Sequence, residues 1–252
     1  MTLRLERGSD HVARLYLDRG EKRNAFSQAM WELLPELVLA AMADPAVRVL
    51  TIESAHPGVF CAGADISELL ANKDDAVWRA ANQVAINRAQ HVLARADKPV
   101  IAFIDGDCVG GGCGIALAAD IRLATPRARI GITPAKLGLV YPLHDTKLLV
   151  DLVGPGQARR MLYTGMLLDA QEALRIGLVD EVADSPGHLE DLIGANSLHS
   201  TMKIKQFVRR ILDGQADDDA DTLGVFAEAF TGTDFVEGTS AFVEKRRPDF
   251  GS

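Results

Sequence analysis

Apolar and polar positions change period several times along the chain, and each change marks an element. His11 to Leu17 ("HVARLYL") alternates with the period of two that a half-buried strand requires. From Ala29 to Met42 apolar residues recur at three- and four-residue spacing, one helical face, with Ser27 placed to cap it. "VRVLTIES" is a second β-rich run, closed by the turn "HPG". Asp75 to Arg95 reads as a helix, and "PVIAFIDG", a continuous apolar run behind a proline, as a strand buried on both faces. Gly112 to Ala119 is so uniformly small or apolar that it predicts a buried helix. "IRLAT" and "ARIGI" add short strands, "HDTKLLVDLVG" and "GQARRMLYTG" two helices, and "DAQEALRIGLVDEV" a helix ending at Gly177 and then a strand. Strand-turn-helix units in succession predict an α/β architecture. Past about residue 184 strand signals stop, and helical patterns surround an acidic loop (Asp217, Asp218, Asp219, Asp221) that reads as a solvated tip. The expected organisation is an α/β core over 1–184 and a helical segment over 185–252.

Composition narrows the partners. With 252 residues, 48% of them hydrophobic, the chain can bury one large core. A net charge of -8 argues against nucleic acid or an anionic membrane as partner. No apolar run approaches the roughly 20 residues of a membrane span, so a cytoplasmic, unsecreted protein is expected. Cys61, Cys108 and Cys113 are odd in number, lack CxxC spacing and sit among apolar or glycine residues, which predicts buried free thiols. His11, His56, His91, His188 and His199 lack metal-ligand spacing, and no metal is expected.

The stretch "GDCVGGGCGIALAADI" (106–121) puts glycines at the mouth of the buried helix. A G-x-G-x-x-G register begun at Gly110 meets Ile115 at its last position and one begun at Gly112 meets Leu117; no Lys-Ser/Thr follows for a phosphate loop. Two readings remain: glycines that let a strand and helix pack closely, or an anion hole at a helix N-terminus. A second small-residue turn, "FCAGADISEL" (60–69), also follows a strand and opens a helix. Two such openings converging on one oxygen would hold an enolate.

These segments, with "EKRNAFSQAM", "KPVIAFIDGDCVGGGCGIALAADIRLAT", "TGMLLDAQEALRIGLVDEV" and "AFVEKRRPDF", resemble the enoyl-CoA hydratase/isomerase, or crotonase, family, in order and over nearly the whole chain. The resemblance implies a crotonase-like spiral of ββα units and a C-terminal helical segment that builds homo-trimers, often paired into hexamers. It implies an acyl-CoA substrate, with coenzyme A as part of that substrate and no separate cofactor. By motif position the oxyanion donors are the amides of Ala64 and Gly111, with Gly110 beside them. Arg23, Ala25, Ala62, Asp65 and Ile66 then line the CoA path, mostly through backbone, and Phe242 and Lys245 reach a neighbouring subunit's nucleotide. Proton abstraction, addition to a conjugated double bond and loss of an α-carboxylate all place charge on the thioester oxygen, where each preorganised donor is worth about 2.7 to 4 kcal/mol.

The chain departs from the family where water is activated. Hydratases of the family carry two glutamates; the corresponding positions are Gly114 and Pro134, neither able to transfer a proton. The loop "TPAKLGLVY" resembles that of the methylmalonyl-CoA decarboxylase branch, which implies a role for Tyr141 beside the reacting group, although that branch has histidine where this chain has Ala64. His144 is a further candidate for lining the pocket. His144 and Asp145 could form an acid/base pair, but as neighbours at a helix start they are expected to point apart, with Asp145 a helix cap. Glu68 is expected on a solvated helix face. The reaction stays open among decarboxylation, isomerisation and an atypical hydration. A CoA-binding protein without catalysis is the rival, and a nicotinamide oxidoreductase a more distant one.

Overall fold

A computed structural model describes residues 2–8 and 11–251. Among the described residues, ten strands form two sheets. The first is six-stranded, in the order β1 (Leu3–Arg7), β2 (Val12–Leu17), β3 (Val49–Ser54), β5 (Val100–Ile104), β7 (Ile121–Ala124), β10 (Glu181–Val182). The second is four-stranded: β4 (Val59–Cys61), β6 (Asp107–Val109), β8 (Arg129–Gly131), β9 (Leu167–Asp169). β3/β4, β5/β6 and β7/β8 each place one strand in each sheet and are followed by a helix, so the chain winds as a spiral of ββα units. Neighbouring strands run parallel except β1 with β2 and β8 with β9.

The helices start where small polar residues satisfy their first amides. α1 (Gln28–Ala43) is capped by Ser27, whose Oγ accepts from the Met30 amide, and α3 (Ala76–Ala94) by Asp75. α2 (Ile66–Ala71) and α4 (Gly111–Ala118) follow the two small-residue turns. Behind them Phe26 packs on Trp31 with ring centroids 4.5 Å apart, and Phe60, Leu50 and Ile52 complete a fully buried centre. α5 (Leu143–Thr164) comprises the two expected helical runs, meeting at Gly154, whose φ of 73° breaks the helical path. α6 (Ala170–Arg175) precedes β10. All three cysteines are buried and free, and burial pushes the Cys61 thiol up to about 12. Among the described residues no helix is long and apolar enough to cross a membrane.

The last strand ends at Val182; α7 (Gly187–Gly194), α8 (Leu198–Leu212), α9 (Ala220–Ala229) and α10 (Thr233–Glu244) follow. Buried Glu190 fastens α7 to the first sheet, accepting from Arg14 Nη2 at 2.7 Å and Thr51 Oγ1 at 2.6 Å. The acidic loop is not simply a solvated tip. Asp219 accepts from the Thr222 amide to cap α9 and pairs with Arg210 at 2.7 Å, and Asp218 accepts from the Thr222 hydroxyl; Asp217 and Asp221 are exposed. Local side-chain-to-backbone bonding, available to aspartates before a helix, outcompetes solvation there.

Candidate active site

β4 delivers the chain to Gly63, whose φ of 101° favours glycine, and then to Ala64. The Phe26 amide donates to Gly63 O at 2.7 Å and the Asp65 amide to Phe26 O at 2.8 Å. Because the C=O and N–H of one trans peptide point in opposite directions, aiming Gly63 O at Phe26 turns the Ala64 N–H away from it. From the other side β6 leads to Gly110 (φ 55°, ψ -114°), whose amide donates to Gly131 O at 2.9 Å, and Gly111 opens α4. A methyl group built on Gly111 would lie 3.7 Å from the Ala64 nitrogen, and one on Gly63 3.6 Å from the Gly111 nitrogen. The two turns are therefore adjacent. Ala64 and Gly111 are each half-buried, and among the described residues neither amide donates to a carbonyl or side chain. Two free donors at the positive end of a helix have the chemistry to receive a negatively charged oxygen.

The Gly110–Gly111 peptide is held from its other end. Gly110 O accepts from the Tyr141 hydroxyl at 3.2 Å and from the Gly114 amide at 3.1 Å. Polarising that carbonyl strengthens the N–H of the same peptide, which belongs to Gly111. Burial pushes the Tyr141 phenol well above its ordinary value, so it stays neutral.

Asp145 corrects the sequence expectation. Pro142 occupies the cap position of α5, and Asp145, third in the helix, points inward; it is 2% exposed. His144 and Asp145 do not point apart: His144 Nδ1 lies 3.3 Å from Asp145 Oδ1. In a first helical turn the short side chain of Asp145 can reach back to its neighbour while its second oxygen faces Gly114, where a built Cβ would lie 2.9 Å away. Burial raises the Asp145 carboxyl, and His144 offsets part of that rise. The same point at Gly114 is 3.1 Å from the Tyr141 hydroxyl and 2.5 Å from Gln90 Nε2. Gln90, on α3, is 1% exposed, and both its amide atoms lack a partner among the described residues. The His144–Asp145 pair is visible in the sequence but its inward direction is not, and Gln90 carries no local signal; only the absence of a side chain at Gly114 hints that something else fills the space.

The strip proposed for CoA is contiguous. Arg23, in the left-handed region (φ 51°), ion-pairs with Asp107, which Arg129 also holds at 2.7 Å. The Ala62 amide donates to Arg23 O at 3.0 Å, and Ala25 O accepts from Arg19 at 2.8 Å. The Asp65 side chain is engaged structurally: it caps α2 and pairs with Arg19 at 2.9 Å, and although burial raises its carboxyl, Arg19 and the backbone bring it below its usual value. Ile66 is exposed beside it. Pro134 begins a 3₁₀ turn (Pro134–Leu137), half-buried. Phe242 is 84% exposed and Lys245 ends α10; no hydrogen bond or ion pair ties either to the amide pair within this chain. Glu68, expected on a solvated face, instead accepts from the Gln28 amide at 2.9 Å and closes the start of α1.

Comparison with known proteins bears on the family and the fold. The family model for enoyl-CoA hydratase/isomerase matches residues 7–252. The crotonyl-CoA hydratase of Syntrophomonas wolfei is 31% identical over 96% of this chain and 95% of its own. A crystal structure of an enoyl-CoA hydratase/isomerase family protein from Hyphomonas neptunium superposes with a TM-score of 0.93 at 38% identity, covering 100% of this chain and 98% of that one. An enoyl-CoA hydratase/carnithine racemase from Magnetospirillum magneticum gives 0.94 at 28% identity, covering 100% and 96%. With its ββα spiral, its paired turns and this agreement over its whole length, the chain belongs to the enoyl-CoA hydratase/isomerase family.

Proposed function

We propose that this member of the family polarises an acyl-CoA thioester between the amides of Ala64 and Gly111, stabilises the resulting enolate, and does so without two-glutamate hydration. The observation that carries this is the pair of adjacent, unpartnered amides at the start of α4. Gly114 and Pro134 cannot hold and activate a water between two carboxylates, so reactions that need only an enolate and a proton come first: double-bond isomerisation, then decarboxylation. The strip from Arg23 to Ile66 takes the CoA moiety. Exposed apolar side chains on α8 to α10, among them Ile204, Phe226 and Phe242, support the homo-trimer that family resemblance implies.

Incubation with enoyl-, malonyl- and saturated acyl-CoA thioesters in deuterated water tests this by mass. Deuterium entry without net change, a shifted double bond, carbon dioxide loss or water addition each name a reaction. Binding without any of these identifies a CoA-binding protein that has lost catalysis, and absence of thioester binding refutes the reading. The place of Tyr141 is tested alongside. Acting through the Gly110–Gly111 peptide, Tyr141→Phe is expected to slow turnover about tenfold with an unchanged pH profile, in keeping with one modest hydrogen bond of roughly 1 kcal/mol. A loss beyond a hundredfold, with the alkaline limb altered, would instead make the phenol a direct proton donor.

A further inference from the structure

Gly114 lies one helical turn from Gly111, about 5 Å along the face of α4. Around it close three polar side chains from other parts of the chain: Gln90 of α3, Tyr141 of the preceding loop and Asp145 of α5. Tyr141 is bonded to Gly110 O and Asp145 Oδ1 to His144, whereas Asp145 Oδ2 forms no hydrogen bond among the described residues. Gln90 keeps a donor and an acceptor buried with no partner among the described residues. Buried amides are nearly always satisfied, and one left open beside a free carboxylate oxygen marks a place that a bound molecule completes. Family glutamates stand at positions 114 and 134; neither α3 nor α5 supplies one.

We infer that Asp145 is the acid/base group of this site, taking a proton from an acyl carbon next to the polarised thioester and returning it to another carbon of the same chain. This rests on the thioester-enolate reading above. Asp145 Oδ2 takes the proton from the α carbon of a 3-enoyl-CoA; the C–H electron pair becomes the new carbon-carbon double bond of a dienolate, and the charge moves to the thioester oxygen between Ala64 and Gly111. The neutral carboxyl then gives the proton back at the γ carbon, leaving a 2-enoyl-CoA. Atoms and charge balance, and no water, oxidant or reductant is consumed. One carboxylate suffices for such a shift, whereas hydration needs a second group to orient the water. The same carboxylate disfavours a malonyl-type substrate, whose own carboxylate would meet it inside a poorly solvated pocket. His144 holds Oδ1 and is a positioning residue.

The groups facing Asp145 are His144 on its own helix, Tyr141 before it, Gln90 on α3 and, behind His144 with ring centroids 6.4 Å apart, His91 on α3; Cys113 on α4 lies on the far side, against Tyr141. Burial raises the carboxyl above its ordinary 3.8, so the base form, and the rate with it, is lost as pH falls through a value above that range. The experiment follows isomerisation of 3-enoyl-CoA and α-deuterium exchange, with binding of a saturated acyl-CoA as the folding control. Asp145→Asn is expected to lower both rates about 100-fold while binding stays within about threefold. Asp145→Asn working at the wild-type rate overturns the inference while leaving the enolate reading intact. A wild-type protein that binds acyl-CoA but neither isomerises, exchanges nor decarboxylates any thioester overturns the enolate reading, and this inference falls with it; decarboxylation without isomerisation or exchange overturns this inference alone. Should the variant not fold, the wild-type profile decides: an acid limb with its midpoint above 3.8 supports Asp145, and a rate flat down to that pH refutes it.

Discussion

Gly111→Val is expected to lower turnover about 10³-fold on every acyl-CoA the protein converts, because it takes the thioester oxygen off its donors without removing any titrating group. Gly111 has an ordinary negative-φ helical backbone, so the substitution is not resisted by strain. Its Cβ would stand 3.1 Å from the Trp31 ring and 3.7 Å from the Ala64 nitrogen, which puts the isopropyl group between the two amides. Losing one donor in such a site costs about 2.7 to 4 kcal/mol in the transition state, and displacement from both costs at least as much. Part of the cost falls on the fold: valine in the first turn of a helix costs less than about 1 kcal/mol in propensity, and the buried Trp31 ring must shift to admit the added group, an overpacking cost of about 1 to 3 kcal/mol. Initial rates measured on folded protein, well below the lowered thermal midpoint, should nevertheless collapse while the pH profile keeps its shape. Gly111→Ala should fall between. If Gly111→Val works within about threefold of wild type, the oxyanion is held somewhere else and the proposed chemistry has no anchor.

How much of this was readable beforehand depends on whether backbone or side chains carry the feature. The adjacent pair of amides proposed to hold the oxyanion is legible because it is made of backbone: small residues at 63, 64, 110 and 111 announce a close approach, and the two turns each open a helix. Long elements were legible for a similar reason, since α1, α3 and both halves of α5 repeat their apolar period several times. β6 and β9, three residues each, have no period to read, and β1 alternates only weakly because it is a half-exposed edge. Asp145 was misplaced for a different reason. Rules for neighbouring residues treat a helix start as exposed, yet here Pro142 takes the cap and α5 lies against α4, so the third residue faces inward. Gln90 is unreadable in principle from local pattern, for its meaning comes from Gly114 and Asp145, on two other helices. The same holds for Glu190, which sits in a short helix with nothing nearby to announce that Arg14 and Thr51 will receive it.

The largest stability loss should come from Gly106→Ala, at the corner where β5 of the first sheet becomes β6 of the second. Gly106 has φ of 84°, a region in which an alanine is strained by about 1 to 3 kcal/mol. Its Cβ would also overlap the carbonyl carbon and oxygen of Gly58, backbone atoms that cannot rotate away as a side chain would. Nor is the corner free to shift. Asp107 donates its amide to Gly58 O at 3.4 Å, the Arg129 amide donates to Gly106 O at 3.1 Å, and Gly58 leads straight into β4. Movement that relieves the overlap must therefore disturb β4, β6 and β8 together. Strain and overlap combined should cost at least about 3 kcal/mol, lowering the thermal midpoint by roughly 6 to 12 °C for a chain of this size. Gly156→Ala provides the opposite sign: that glycine is exposed in the second half of α5, with negative φ and nothing within 4 Å of an added Cβ, so the change should stabilise by about 0.4 to 1 kcal/mol. Equal midpoints for the two variants would mean that the corner is loose. A loose corner would also leave Gly110 and Gly111, four and five residues further on, without the fixed approach to Ala64 that the chemistry requires.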